Sequence, residues 1–504
     1  MANLRNLFLN SSTAYLGSFA IIGIGVISKI FLARLLFAAE LGIFFIAQTL
    51  FGMLVFFASL GMTDTIARFV GLNYKHDLSR SVDVLSRGLR LVVSVGLLLA
   101  ILVALLASPI SEHILHASRF SKIVVIVALA IPFKLAADLI GSANQGAGKL
   151  YYKILFVDLV SAILFVCGLG LLLVFNVGSL NIVVALYMLP VLISPFLFHE
   201  QFKFTAIFRH SDPYVTARDL LRYSVPLLLS GIVAWPLTLV PIVIGSLTSA
   251  ELVSYYSLAI SLASFIYLGA SASEAAGLSV WSSYLGSGDT NSLKEDYRLI
   301  TRWGIIVGSV IFVPLFVCPR EVVVLLFSWK FEPVAHILPA VSCVFFMNLI
   351  TGPTESILKA YGDTRFIFVT RLAVGIVVVL TLYPFLMLWG LSGAIAVYGL
   401  SVAVGIAMYS WHLYKQHRLH PIDRHFSLML LSICSAVLIT SFVLKNIPWG
   451  VGSFVNIISA VVVYCSLLVF HLIILRAMTY RDRLIMSRVI SRIWPSHRIA
   501  NARE

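Results

Sequence analysis

The sequence predicts an all-α polytopic membrane protein. About 14 transmembrane helices are expected, as two six-helix lobes related by a pseudo-two-fold axis along the membrane normal, plus two C-terminal helices. Three observations carry this expectation. Apolar residues make up 60% of the chain and charged residues 12%, against roughly 25% charge in an ordinary soluble domain. The segments 21–37, 92–107, 154–175, 366–389 and 451–475 each have about the length a bilayer-spanning helix requires. The second half of the chain also echoes the first. The loop 142–153 has a counterpart in 356–365, with Gly148-Lys149 and Gly362-Asp363 in one register, and Ala39-Glu40-Leu41 is matched by Ala250-Glu251-Leu252. Duplicated helical halves are a mark of proteins that move a substrate around a central site.

The elements follow in order. Spans are expected at 11–36, 41–61, 88–107, 121–141, 154–175 and 180–198, forming an N-terminal lobe over 1–198. The first span follows a ten-residue head with no small-residue cleavage site, so it reads as retained rather than as a signal peptide. The segment 199–222, with His210-Ser211-Asp212-Pro213, is the long polar connection near the midpoint and reads as the inter-lobe linker. A second lobe over 223–411 holds spans at 223–246, 252–272, 303–318, 334–352, 366–389 and 391–411. Two additional spans, 427–444 and 451–475, fall within 412–475. The tail 476–504 alternates Arg481, Arg483, Arg488 and Arg492 with Leu484, Ile485, Val489, Ile490, Ile493 and Trp494, the pattern of a basic amphipathic helix on an anionic leaflet.

Charge orients the chain. With the N-terminus inside, the cytoplasmic segments hold 28 lysines and arginines and the opposite side holds six. That bias predicts both termini in the cytoplasm of a cell inner membrane, and equal orientation of the two halves requires the axis along the membrane normal. The net charge of +14 then reflects topology, and no nucleic-acid partner is expected. Five cysteines without paired spacing indicate neither a disulfide framework nor a metal site. No Walker loop, HExxH motif or GxSxG elbow is present, so the expectation is a transporter without cofactor rather than an enzyme.

The segment Leu32-Ala33-Arg34-Leu35 followed by Glu40-Leu41-Gly42-Ile43-Phe44 resembles the first hairpin of polysaccharide (Wzx-type) flippases of the multidrug/oligosaccharidyl-lipid/polysaccharide exporter superfamily. Gly61 with Arg68, and Lys359-Ala360-Tyr361-Gly362-Asp363-Thr364 before the eleventh span, fit the same pattern. Phe37-Ala38-Ala39 departs from it, standing where a glycine- or serine-containing turn is more usual. The resemblance implies alternating-access flipping of a lipid-linked oligosaccharide, typically on undecaprenyl diphosphate. Membrane lipids, a polysaccharide polymerase and chain-length machinery are the partners it implies. Two other readings stand beside it: a small-molecule or drug antiporter of the same superfamily, and a membrane-bound polysaccharide polymerase or glycosyltransferase. Short outer loops argue against the last.

Charges inside spans are costly and usually face a cavity or a partner, which selects the candidate site residues. Lys29, Arg34, Arg68, Lys134 and Arg371 are the substrate-binding candidates, because an anionic headgroup needs cationic donors. Lys29 lies deep in the first span beside Gly23 and Gly25; the alternative is that it snorkels or pairs with a neighbouring acid. Asp64 and Arg68 stand four apart and suit an ion pair, as do Lys134 and Asp138 just after Pro132. Asp138, Asp158 and Glu274 are the coupling candidates if buried. Trp235, Tyr255, Tyr256, Tyr267, Trp281 and Tyr284 can line a glycan path or serve as belts and packing. His412, His417, His420 and His425 read as a basic loop rather than a metal site.

Overall fold

A computed structural model describes residues 20–479 and 482, apart from 75–76, 114–119, 199–201, 203, 206–215, 234, 268–276, 278–279 and 447–451. The described residues are helical, with no strand among them, and ten of their helices are long and apolar enough to cross a membrane. The chain divides into two compact units. One comprises Met1–Leu258, Leu326–Pro333 and Gly375–Val397; the other comprises Ala259–Leu325, Val334–Val374 and Tyr398–Glu504.

In the first unit, α1 covers 20–35, α2 Ala38–Ala58, α3 Met62–Asn73, α4 Leu78–Leu105, α5 Ala107–His113 and α6 Ser121–Gly146. Helix α7, Leu150–Val174, contains a π-helical stretch at Ile154–Leu159, and α8 is Leu180–Ile193. Helix α6 is the hub, packing on α2, α3, α4 and α8. Its buried face is rich in small residues (Ala128, Ala130, Ala136, Ala137, Gly141, Ala143). In lipid, where apolar side chains gain little by leaving the tails, close backbone approach over small residues supplies the packing. Gly42 of α2 shows the same device: a Cβ there would lie 1.6 Å from the Ala250 carbonyl oxygen.

One expected span is not continuous. The segment 223–246 is broken into α9, Ala217–Ile232, a 3₁₀ turn at Trp235–Leu237, and α10, Val240–Leu247. Pro236 and Pro241 cannot donate the backbone bonds that would carry a helix through. Helix α9 begins in a capping box in which Thr216 and Asp219 satisfy each other, and the Thr216 hydrogen bonds hold the Asp219 carboxyl below its ordinary range. Helix α11, Ala250–Ala263, follows.

The second unit is built on α12, Thr290–Val317, which packs on α14, Val334–Leu349, and on α17, Arg424–Asn446, and α18, Ser453–Ile474. The short helices α13, Pro319–Phe327, and α15, Thr354–Tyr361, complete the series, and α16 runs over Thr364–His417, its residues 375–397 belonging to the first unit. A straight helix of 54 residues would be about 81 Å long, yet the His417 ring touches Asp363. The chain therefore reverses inside α16, at Gly390 (φ 56°, ψ −136°), a conformation that side chains with a Cβ avoid. The expected spans 366–389 and 391–411 are the two arms of this hairpin. The second arm runs on to His417, so His412 and His417 are helical rather than in a loop. Nothing breaks the helix before Arg418, which caps it in the left-handed region (φ 54°).

Candidate functional site

A cavity of about 370 Å³ opens in the first unit between α1, α2, α6, α7 and α8. Its polar lining includes Lys29, Gln48, Lys134, Asp158 and Tyr187, with serines such as Ser28 between them. Aromatic rings close one wall: Phe44 stacks parallel to Phe165 at 6.1 Å, and the Tyr187 ring meets both edge-on at 5.3 and 5.1 Å. Gln48 Nε2 donates to the Tyr187 hydroxyl at 3.0 Å, which fixes both polar groups against this wall.

Each charged member is set by its helix. Lys29 is half-buried on α1, one residue after Ser28, whose hydroxyl folds back on the Ile24 carbonyl. Lys134 follows Pro132 on α6 and donates to Asp138 Oδ1 at 2.8 Å. Pro132 has no N–H to give the carbonyl one turn back, which loosens the helix where the pair sits. Asp158 rides on the π-helical stretch of α7, a local widening that recurs at functional sites. The cavity thus sets two ammonium groups and one carboxylate against an aromatic wall. Such a surface can take an anionic group at one end and a ring at the other.

The other candidates fall elsewhere. Arg34 is exposed and does not line the cavity. Arg68 and Asp64 are exposed and make no ion pair with each other; the Arg68 guanidinium lies over the Tyr223 ring at 4.4 Å. Asp138 does not line the cavity but holds Lys134, which does. Arg371, in the second unit, pairs with Glu355 at 2.8 Å, and Glu355 also accepts from Lys359 at 2.7 Å and from the Tyr409 hydroxyl at 3.3 Å. Glu274 lies outside the described residues. Among the aromatic candidates, Trp281 is fully buried in a core with Tyr297, Leu358 and Leu413, and the Tyr255 hydroxyl donates to Glu251.

Sequence reasoning missed Gln48 and Tyr187, although a glutamine inside the apolar run of α2 is a readable signal. It also missed the buried Arg302, which bridges Asp423 and Asp482 at 3.4 Å each while Trp303 Nε1 donates to Asp482 at 3.1 Å.

A polytopic helical bundle with a cavity lined by charged groups is an architecture suited to moving a substrate across a membrane. The chain belongs to the polysaccharide biosynthesis protein family, whose model matches residues 9–275. The MatE family model matches 226–384, and together they make the chain a transporter of the multidrug/oligosaccharidyl-lipid/polysaccharide exporter superfamily. Among solved structures the fold resembles the lipid II flippase MurJ in an inward closed conformation, at 15% identity and a TM-score of 0.69, over 93% of this chain and 99% of that one. It also resembles an inward-facing MATE-family multidrug resistance transporter, at 12% identity and a TM-score of 0.64, over 78% of this chain and 93% of that one. A third likeness is to a transporter of the same superfamily from Pyrococcus furiosus described as having a binding pocket of reversed polarity. It has 14% identity and a TM-score of 0.53, over 81% and 95% of the two chains. No match was found among curated proteins.

Proposed function

We propose that this chain flips a lipid-linked oligosaccharide, on a diphosphate carrier such as undecaprenyl diphosphate, from the cytoplasmic to the outer leaflet of the inner membrane. The observation that carries the reading is the pair of lysines, Lys29 and Lys134, lining one aromatic-walled cavity. Lysine is a compact charge suited to phosphate, and sugar rings stack on aromatic faces. The charge bias supports cytoplasmic termini, and the internal echo supports two lobes, 1–198 and 223–411, that alternate access about the linker 199–222. Arg34, Arg68 and Arg371 would guide the headgroup outside the cavity, and Asp138, Asp158 or Glu274 would carry any coupling ion. A polymerase and chain-length proteins would take the product at the outer face.

The MatE match and the carboxylate of Asp158 in the cavity favour a second reading, export of a small organic cation. The two separate on Lys29. Under the flippase reading, Lys29→Ala abolishes polysaccharide export at normal membrane abundance and Lys29→Arg retains part of it. Full export by the alanine variant in a complementation assay would remove Lys29 from the site. In reconstituted vesicles, efflux of a cationic dye with no movement of a lipid diphosphate oligosaccharide would replace the first reading by the second.

A further inference from the structure

Away from the cavity, three side chains converge at the open ends of the α16 hairpin, opposite the Gly390 reversal. Gly362 ends α15 in the left-handed region (φ 83°), and the turn it makes delivers Asp363 to the start of α16. At the far end of the same hairpin, His412 and His417 both aim Nε2 at one atom, Asp363 Oδ2, at 3.2 and 2.7 Å. The three ligand atoms lie within 4.8 Å of one another.

The rings are held for this. His412 stacks on Phe366 at 3.8 Å with 10° between planes, and His417 stacks on Tyr361 at 3.6 Å with 24°. Beneath them Ile367, Leu413 and Leu358 belong to a buried core with Trp281 and Tyr297, so both helix ends are seated on rigid packing. Three of the neighbouring cations are engaged elsewhere. Lys415 lies over the Trp411 ring at 4.8 Å, Arg418 over Tyr414 at 5.8 Å, and Lys359 pairs with Glu355. The cluster keeps limited access to solvent, with side-chain exposures of 15%, 18% and 32% for His412, His417 and Asp363.

We infer that Asp363, His412 and His417 form a binding site for a divalent transition-metal ion of the Zn²⁺ type. The His-x₄-His spacing within one helix end, completed by a carboxylate from another segment, is a zinc-ligand arrangement, and two imidazole nitrogens with one oxygen suit that ion. At metal–ligand distances of about 2.0–2.1 Å, tetrahedral ligand atoms stand about 3.3 Å apart. The His412 nitrogen is already at that separation from the carboxylate oxygen, and the His417 nitrogen needs to open by only about 0.6 Å. Each ring binds as the neutral tautomer with its proton on Nδ1, and a fourth position stays open to water. Because Asp363 and the histidines are 49 and 54 residues apart, a bound ion cross-links the two ends of the hairpin and restrains its opening. The site shares no residue with the cavity, so it stands or falls separately from the flippase reading.

The test uses the full-length protein in detergent, purified through a tag without histidines and stripped with a chelator. Zn²⁺ alone is titrated, with bound metal counted after gel filtration and apparent melting followed in parallel. The expected result is one ion per chain, a raised melting temperature, and affinity reduced at least about tenfold by Asp363→Asn and by His417→Gln. Co²⁺ in the wild-type protein should give the visible absorption of a four-coordinate nitrogen–oxygen site, which keeps the test decisive if a variant fails to fold. No saturable Zn²⁺ binding by the wild-type chain, an octahedral Co²⁺ spectrum, or stoichiometric binding unchanged in folded Asp363→Asn and His417→Gln variants would each overturn the assignment.

Discussion

Replacing Lys134 by methionine removes the donor at 2.8 Å from Asp138 and leaves that carboxylate and Asp158 near each other with one cation fewer. The two members of the pair are 26% and 20% exposed, so it sits between two limits. An exposed helical pair one turn apart contributes about 0.3–0.5 kcal/mol, whereas breaking a fully buried pair costs about 3–5 kcal/mol. Partial access to water from the cavity places the expected loss for Lys134→Met at about 1–3 kcal/mol. Asp138→Asn should cost less, because a neutral amide still accepts from the lysine. In the double variant neither charge is left alone, so the two losses should not add, and the coupling should be about 1 kcal/mol or more. Apparent melting in detergent, run as a double-mutant cycle, measures this directly. Export by the double variant reports on function separately. Additivity within about 0.3–0.5 kcal/mol would refute the reasoning, since independent sites behave that way.

Further outcomes follow from other contacts. Arg302 is 7% exposed and holds two carboxylates, so Arg302→Met should cost about 3 kcal/mol or more, read by melting, because it leaves Asp423 and Asp482 without their cation. Arg302→Lys should fall between, because an ammonium cannot reach both acids as the guanidinium fork does. At Gly42 even alanine places a carbon in the Ala250 carbonyl; Gly42→Ala should cost at least about 1–3 kcal/mol, and a variant with unchanged melting would show that α2 and α11 can separate freely. Under the flippase reading the headgroup carries negative charge outward while the lysines stay in place. The field then contributes about 2.3 kcal/mol per charge per 100 mV, and initial flipping in vesicles should rise with an inside-negative potential. Equal rates with and without the potential would remove the electrogenic step.

How much of this was legible in the sequence depends on the range over which the physics acts. Spans were readable because a bilayer demands some twenty apolar residues in a row, and α4, α6, α12, α17 and α18 fall where that demand is met. The reversal at Gly390 was readable as a boundary between 366–389 and 391–411, since glycine there interrupts an otherwise unbroken apolar run. The break at Trp235–Leu237 comes from Pro236 and Pro241, whose missing backbone donors hydropathy alone does not register. Lys29 and Lys134 stood out because charge inside a span is costly, but the same rule also selected Arg34, near the end of α1, and Arg68, midway along α3, both exposed and away from the cavity.

Helical periodicity says which side chains share a face of one helix and is silent on which helix that face will meet. That is why Gln48 and Tyr187, 139 residues apart, could not be paired in advance, nor Arg302 with Asp482. In lipid the difficulty sharpens, because helix pairing rests on small residues and close backbone approach rather than on an apolar stripe facing away from water. The two histidines make the point most clearly. Their spacing is that of metal ligands and is visible in the sequence, yet spacing alone could not distinguish a basic loop from a site. What distinguishes them is the carboxylate that Gly390 returns to their side. That contact exists only once the chain has folded back on itself, and it turns two half-buried imidazoles into groups with a common target.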